Sequence, residues 1–97
     1  MYKSFKHLHV SENSRDALYL GYRINLTKTE HAILYALVTN LDKPLSDKDF
    51  CSISGLELTN KKIAYHVFQI NSVAKTIGNR KLIKNKAKFG YFLNEKM

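Results

Sequence analysis

The first 26 residues alternate apolar and polar side chains between turn-forming stretches, which is the pattern of short β-strands. In FKHLHV, Leu8 and Val10 fall on one face of a strand, and two histidines fall on the other. A turn-rich SENSRD follows, and then the short strands ALYL and RINL on either side of Gly21. Because strands this short need another element to cover their apolar face, we predict a three-stranded antiparallel sheet that packs on the rest of the domain.

A first helix is predicted to begin after Thr27. Thr27 and Glu30 have the spacing of a capping box, in which each side chain accepts a hydrogen bond from the other residue's backbone N–H. Apolar side chains then recur at helical spacing and define a buried stripe: Ile33, Leu34, Leu37, Val38 and Leu41. We predict that this helix ends near Asn40, before Pro44.

A second helix is predicted to begin after Ser46. Ser46 and Asp49 form another capping-box pair, and Leu45 and Phe50 occupy the two positions of a hydrophobic staple. The sequence SISG is expected to interrupt this helix, and residues 53–58 are expected to form a connecting loop.

The third helix is predicted from about Asn60 to Ile77, with Thr59 as its N-cap and Gly78 just past its end. One arc of this helix is apolar and should be buried: Ile63, Val67, Ile70, Ala74 and Ile77. The opposite arc and its shoulder carry Lys61, Lys62, Tyr65, His66, Gln69 and Ser72. Phe68 falls between the two arcs, so we expect it to pack on a neighbouring element.

Residues 81–95 are predicted to form a closing β-hairpin that carries an unusual row of charges. Three lysines alternate through its middle: Lys84, Lys86 and Lys88. Four apolar side chains are expected to hold the hairpin to the domain: Ile83, Phe89, Tyr91 and Leu93. The order β-β-β-α-α-α-β-β makes residues 1–97 a single α+β domain, with the sheet in 1–26, the helices in 27–78 and the hairpin in 81–95.

Length and composition fit one soluble domain. Ninety-seven residues are enough to bury a modest core without disulfides. The single Cys51 excludes an internal disulfide and favours a reducing compartment. No apolar run approaches the roughly 20 residues that span a bilayer, and the basic start is not a signal peptide. We therefore expect a cytoplasmic protein that does not enter a membrane.

The net charge of +8 is concentrated in the last two-fifths of the chain. Residues 1–58 carry seven basic and seven acidic side chains, whereas residues 59–97 carry nine basic ones against Glu95. Charge segregated in this way is typical of a protein that binds a polyanion. The alternative is a basic segment that is only solvated.

The start of the third helix indicates that this polyanion is a nucleic acid. Lys61 and Lys62 lie where the helix dipole disfavours cations, a placement that is explained if the helix start faces phosphates. Beyond them, Tyr65, His66 and Gln69 are residue types that reach base edges in the major groove.

Other chemistry finds little support in the sequence. His7 and His9 share a strand face, but no further ligand completes a metal site there. The few acidic residues offer no nucleophile–base pair and no paired carboxylates, and the chain has no phosphate loop. We therefore expect no enzyme activity, no metal and no cofactor.

Four segments, in this order, resemble the winged-helix effector domain of OmpR/PhoB-type response regulators: INLTKTEHAILYAL, KPLSDKDF, YHVFQI and LIKNKAKFGYFL. The matching motifs are Leu26, Thr27 and Glu30 at the first helix, His66 and Val67 in the recognition helix, and Gly90 and Tyr91 at the end of the wing. The resemblance covers nearly the whole chain.

This resemblance implies a winged helix-turn-helix that binds double-stranded DNA. The recognition helix, about residues 60–77, would enter the major groove, and the wing, residues 84–91, would touch the DNA backbone or the minor groove. The implied DNA-facing residues are Lys61, Lys62, Tyr65, His66, Gln69 and Asn71 on the helix, and Lys84, Lys86, Lys88 and Tyr91 on the wing. The resemblance also implies that loop 52–58 touches RNA polymerase and that the domain binds direct repeats as a tandem pair.

The chain departs from the family pattern in three ways. Positions 68, 69 and 71, where the family often has arginines, are uncharged. The arginine–glycine tip of the family's wing aligns with Ala87 and Lys88, so the cation has moved to Lys86 or Lys88. No receiver domain accompanies the effector domain, which we expect to reflect an excised domain or a stand-alone regulator controlled by its abundance or by a partner.

The leading hypothesis is therefore a sequence-specific, double-stranded DNA-binding transcription regulator. The alternative is a winged-helix protein-interaction module that pairs with another regulator or with RNA polymerase, and the uncharged stretch 68–71 favours it. RNA binding ranks third, because the third helix is not expected to expose the aromatic platform that single-strand readers use.

Overall fold

The first predicted strand is two strands joined by a tight turn. In the computed structural model, which describes residues 1–96, β1 spans Tyr2–Phe5 and β2 spans Leu8–Ser11. The turn lies between them, and Lys6 adopts a φ of 53°. The prediction of a single strand was wrong, because the adjacent polar residues Lys6 and His7 form a turn that no glycine or proline marks in the sequence.

The N-terminal sheet therefore has four strands, where three were predicted. β3 spans Ala17–Tyr19 and β4 spans Tyr22–Ile24, and the antiparallel order is β1-β2-β3-β4. One face of the sheet is apolar and buried, as predicted for Leu8 and Val10, and it also includes Ala17, Tyr19 and Ile24.

The first helix, α1, spans Lys28–Val38 and begins with the predicted capping box. The Thr27 hydroxyl accepts a hydrogen bond from Glu30 N–H, and a Glu30 carboxylate oxygen accepts one from Thr27 N–H. The predicted stripe is buried from Ile33 to Val38. The prediction for Leu41 was wrong: the helix is already capped at Thr39, and Leu41 is 51% exposed.

The second helix, α2, spans Asp47–Ser54 and includes most of the SISG segment that was expected to interrupt it. The predicted capping box of Ser46 and Asp49 is present, and the hydrogen bonds that Asp49 accepts from Ser46 N–H and from the Ser46 hydroxyl hold its pKa below the ordinary value. Ser54 is accommodated because its hydroxyl donates back to the Phe50 carbonyl at 2.6 Å. The helix ends at Gly55, which has a φ of 72°.

The third helix, α3, spans Asn60–Gly78, with Thr59 as the predicted N-cap. Its predicted apolar arc faces the core, where four members are buried and Ile77 is partly buried. The left-handed residue at its end is Asn79, not Gly78, which lies within the last turn. At Gly78 a Cβ would lie 2.7 Å from Leu20 Cδ1 and 2.8 Å from Tyr19 Oη, so a larger residue would have to displace these side chains.

The closing hairpin is present and is tied to the start of α2. Its strands are β5, Ile83–Lys86, and β6, Gly90–Leu93. Leu45 and Tyr91 exchange two backbone hydrogen bonds of 2.8 Å each, which adds Leu45 to the outer edge of β6. Ile83 and Leu93 are buried as predicted, but Phe89 is 60% exposed and does not hold the hairpin to the domain.

These elements form an α+β winged helix-turn-helix, as predicted. α1 packs against the N-terminal sheet on one side and against α2 and α3 on the other, while β6 and β5 approach α1 and α3. The helix-turn-helix is α2, the loop 55–59 and α3, and the wing is the β5–β6 hairpin. Within residues 1–96, no helix is both long enough and apolar enough to cross a membrane.

Candidate nucleic-acid interface

One face of α3 is exposed over four turns and carries both cations and aromatic rings. Lys61, Lys62, Tyr65 and Phe68 are exposed, and Gln69 is partly buried. Gln69 Nε2 donates to Tyr65 Oη at 2.9 Å, which joins two polar side chains of adjacent turns. Phe68 is 66% exposed, so the expectation that it packs on a neighbouring element was wrong. Phe68 and Tyr65 together form an exposed aromatic surface on α3, where none was expected from the sequence.

The N-terminus of α3 presents positive charge in two forms. The hydroxyl of Thr59 accepts a hydrogen bond from Lys62 N–H and so satisfies one free N–H group of the first turn. The first turn also carries two exposed lysines and no acidic residue, since the sequence has none between Asn60 and Asn94. The helix dipole and both ammonium groups therefore favour the same ligand, an anion at this end of α3.

His66 does not lie freely on this face. Its Nδ1 lies 2.9 Å from Glu30 Oε2, and only 19% of the His66 side chain is accessible. Glu30 thus binds Thr27 with one carboxylate oxygen and His66 with the other, which links the start of α1 to the middle of α3. We conclude that His66 positions α3, contrary to the expectation that it contacts base edges.

Asn71 is a second residue that the structure removes from the predicted interface. It is 9% exposed, and its amide bonds the backbone that leads into the wing. Asn71 Nδ2 donates to the Ile83 carbonyl at 2.9 Å, and Asn71 Oδ1 accepts from Leu82 N–H at 3.0 Å and from Ile83 N–H at 2.9 Å. Its place beside Val67 and Ala74 on the helical wheel was the available signal that it faces inward.

The wing carries its three lysines on a short, exposed hairpin. Lys84, Lys86 and Lys88 are all exposed. The turn between β5 and β6 closes with a hydrogen bond from Phe89 N–H to the Lys86 carbonyl at 3.0 Å, and Lys88 has a φ of 71°. Lys86 Nζ lies 5.3 Å from the centre of the Phe89 ring, a distance at which the cation and the ring attract each other.

An open cleft of about 540 Å³ separates the start of α3 from the wing. Asn60, Lys61 and Ala64 line it on the helix side, and Lys88, Phe89 and Tyr91 line it on the wing side. Asp47 at the start of α2 also borders it, and burial together with that nearby carboxylate raises the pKa of Tyr91. The Tyr91 hydroxyl therefore keeps its proton and can donate a hydrogen bond into the cleft.

The predicted phosphate-binding lysines are not neutralised within the part of the chain that the structure describes. Three ion pairs occur among residues 1–96: Lys3–Glu12, Arg23–Asp16 and His66–Glu30. None of them involves a lysine of α3 or of the wing. The two basic segments on either side of the cleft thus present unpaired lysines to the same ligand, although the Asp47 carboxylate also lines the cleft.

The remaining predicted sites are weaker in the structure. Residues 52–54 of the expected polymerase-contacting loop belong to α2, which leaves a short connection with Ile53 and Glu57 exposed beside it. Cys51 is partly buried, and its thiol lies 3.4 Å from the Leu58 carbonyl. Across residues 1–96 no three His, Cys, Asp or Glu side chains come together as metal ligands.

Comparison with known proteins identifies the fold. No protein family and no curated protein matches the sequence. The solved DNA-binding domain of the response regulator AdeR, in complex with an intercistronic region, is similar with a TM-score of 0.81 and 17% identity over 95% of this chain and 97% of that one. The DNA-binding domain of CpxR from E. coli has a TM-score of 0.73 and 22% identity over 96% and 95% of the two chains.

Two further structures extend this similarity. The Klebsiella pneumoniae RstA DNA-binding domain, in complex with the RstA box, has a TM-score of 0.75 and 16% identity over 97% of both chains. A redox sensor of streptococci that evolved from two-component response regulators has a TM-score of 0.80 and 17% identity, and the match spans 42% of that longer chain. The chain thus has the winged-helix fold of response-regulator DNA-binding domains, which confirms the resemblance at the level of fold.

Proposed function

We propose that this chain is a sequence-specific, double-stranded DNA-binding transcription regulator. The observation that carries the proposal is the pair of unneutralised basic segments on either side of one open cleft, at the start of α3 and along the wing. The similar AdeR and RstA domains, whose structures contain an intercistronic region and the RstA box, support the same use of this fold.

The side chains divide into two roles in this proposal. The phosphates are bound by the lysines of α3 and of the wing: Lys61, Lys62, Lys84, Lys86 and Lys88. α3 enters the major groove, where Tyr65 and Gln69 reach base edges, and the wing follows the adjacent backbone or minor groove with Tyr91 at its base. Affinity then comes mainly from the lysines, and the choice of sequence mainly from α3.

Salt dependence tests the electrostatic part of the proposal. Neutralising about five phosphates releases their counterions, so the logarithm of the association constant should fall against log salt with a slope near −5. The measurement is fluorescence anisotropy with a labelled duplex at several salt concentrations. A slope near zero would contradict the proposed lysine contacts.

Substitutions in the two basic segments test the division of roles. Gln69→Ala should relax the preference for one base position while leaving binding to random duplex nearly unchanged, since it removes a base contact. Lys86→Ala should weaken all duplexes about equally and reduce the salt slope by about 1, since it removes a phosphate contact. Lys3→Ala, on the N-terminal sheet, is the matched control and should change neither. Identical uniform losses for Gln69→Ala and Lys86→Ala would remove Gln69 from the base readers.

The alternative function is a protein-interaction module, and one observation favours it. Phe68 is exposed in the middle of α3, where an arginine would be a more usual DNA contact. Affinity capture from nuclease-treated extract separates the two functions: a partner protein that persists after digestion supports the interaction module, and one that disappears supports DNA binding.

Assembly on DNA and contact with RNA polymerase belong to the same proposal. We expect two copies to bind direct repeats in tandem, and we expect the segment 52–58 to face the polymerase. Selection of bound duplexes from a random library checks the first point, since recovered sites with two half-sites in the same orientation indicate a tandem pair. Polymerase recruitment by the wild type, compared with Glu57→Ala, checks the second.

A further inference from the structure

Phe68 occupies the centre of the exposed face of α3. It follows Ala64, which lines the cleft beside the wing, by one turn, and it follows Tyr65 by three residues. Lys61 and Lys75 lie seven residues before and after it, on the same side of the helix, and both are exposed. The most exposed large apolar side chain of α3 is therefore flanked on its own face by two cations.

Two of the polar side chains next to Phe68 make hydrogen bonds within α3. The Ser72 hydroxyl donates to the Phe68 carbonyl at 2.9 Å, and Gln69 Nε2 donates to Tyr65 Oη. Besides the Tyr65 hydroxyl proton and the Gln69 amide oxygen, which these bonds leave free, this part of the helix offers a ligand the Phe68 ring. If α3 lies in the major groove with its lysines at the phosphates, the ring faces the base edges.

A phenylalanine ring can recognise one feature of those edges. Among the major-groove groups that distinguish the four base pairs, the C5-methyl of thymine is the apolar one, and the others are hydrogen-bond donors or acceptors. We propose that Phe68 is a specificity-determining residue that packs against the C5-methyl of a thymine in the target site. This inference rests on the proposed function, because it requires α3 to bind duplex DNA through its major groove.

The expected effect is that of burying one methyl group. Its removal from contact with Phe68 should weaken binding about fourfold. The effect should be confined to one thymine in each half-site, because one ring covers about one base pair. A thymine elsewhere in the site should be replaceable by uracil without loss.

The test uses the full chain and a duplex selected by it from a random library. Each thymine of that duplex is replaced in turn by deoxyuridine, which lacks only the C5-methyl, and the Kd is measured for the wild type and for Phe68→Ala. The wild type should lose about fourfold at one position, and Phe68→Ala should bind the thymine and uracil duplexes equally. Phe68→Leu, which keeps an apolar side chain, should retain part of the discrimination.

Tyr22→Ala is the matched control variant, because Tyr22 is a 64% exposed aromatic residue of the N-terminal sheet and is not part of α3. It should discriminate uracil from thymine as the wild type does. Because Phe68 is exposed, its variants should unfold at the wild-type temperature, and thermal unfolding verifies this.

The outcomes separate the inference from the proposed function. If the chain binds no duplex more tightly than random DNA, the proposed function fails. If it selects a duplex but no uracil substitution distinguishes the wild type from Phe68→Ala, the inference fails and the proposed function stands. A Phe68→Ala variant that loses affinity only for a single-stranded oligonucleotide, or only for a captured protein, would also overturn the inference.

Discussion

Replacing Asn71 with alanine should destabilise the protein by about 3 kcal/mol, because it leaves three buried backbone groups without a partner. These groups are Leu82 N–H, Ile83 N–H and the Ile83 carbonyl, all bonded by the Asn71 amide at 2.9–3.0 Å. Since a domain of this size is stable by only about 5–15 kcal/mol in total, the melting temperature should fall by more than about 10 °C. Urea and thermal unfolding measure both quantities.

Asn85→Ala is the control for this substitution. Asn85 is an exposed asparagine of the wing, so its removal should change stability by no more than about 0.5 kcal/mol. The pair also decides between the structural role of Asn71 and the base-contacting role expected from the sequence. If Asn71 contacted bases, Asn71→Ala would keep the wild-type stability and would bind the selected duplex with relaxed preference.

Side-chain contacts between residues close in the sequence were predicted correctly, whereas contacts between residues far apart in the sequence were missed. The capping boxes of Thr27 with Glu30 and of Ser46 with Asp49 involve neighbours three residues apart, so spacing alone identified them. The second bond of Glu30 reaches His66, 36 residues away, and no local pattern specifies it. His66 was therefore assigned to the surface, although its ring is mostly buried against α1.

The same limit applies to the ends of elements and to single apolar positions. Helical spacing identified the core faces of α1 and α3, because a buried face repeats over several turns. It could not place Leu41, one turn beyond the last buried residue of α1. For Phe68 the spacing was sufficient, since Lys61 and Lys75 lie seven residues before and after it on the exposed face, and the expectation that it packs on a neighbouring element overlooked this. Likewise, no glycine or proline marked the turn at Lys6, where a lysine adopts a backbone conformation that glycine usually supplies.

The basic surface itself was predictable in outline, since charge segregation along the chain is a property of the sequence. The fold adds the geometry: it brings the start of α3 within one cleft of a wing that begins more than twenty residues later. Asn71 fixes this relation from the helix side, and the contact between Leu45 and Gly90–Tyr91 fixes it from the wing side. The DNA-binding proposal therefore depends on the contact of Leu45 with the wing as much as on the hydrogen bonds of Asn71.

Gly90→Ala should be the most disruptive small substitution in the wing. A Cβ at Gly90 would lie 2.1 Å from the Leu45 carbonyl oxygen and 2.7 Å from Ser46 N, and both are backbone atoms that no rotamer change can move. The φ of 119° at Gly90 is also unfavourable for alanine. β6 must therefore move away from Leu45 and lose the two hydrogen bonds to Tyr91, at a total cost of about 3–5 kcal/mol in the free energy of unfolding.

Gly55→Ala separates the steric part of this cost from the conformational part. Gly55 has a φ of 72°, but no atom lies within 4 Å of the position its Cβ would take, so alanine there should cost only about 1 kcal/mol. Unfolding in urea gives the loss of stability for both variants.

The Gly90→Ala variant should also bind DNA with a weaker salt dependence. Its displaced wing should no longer set its three lysines against the duplex that α3 binds, which lowers the salt slope by about 3. Equal stability losses for the two variants would mean that β6 does not need its close approach to Leu45, and an unchanged slope would mean that the wing is not a phosphate-binding element.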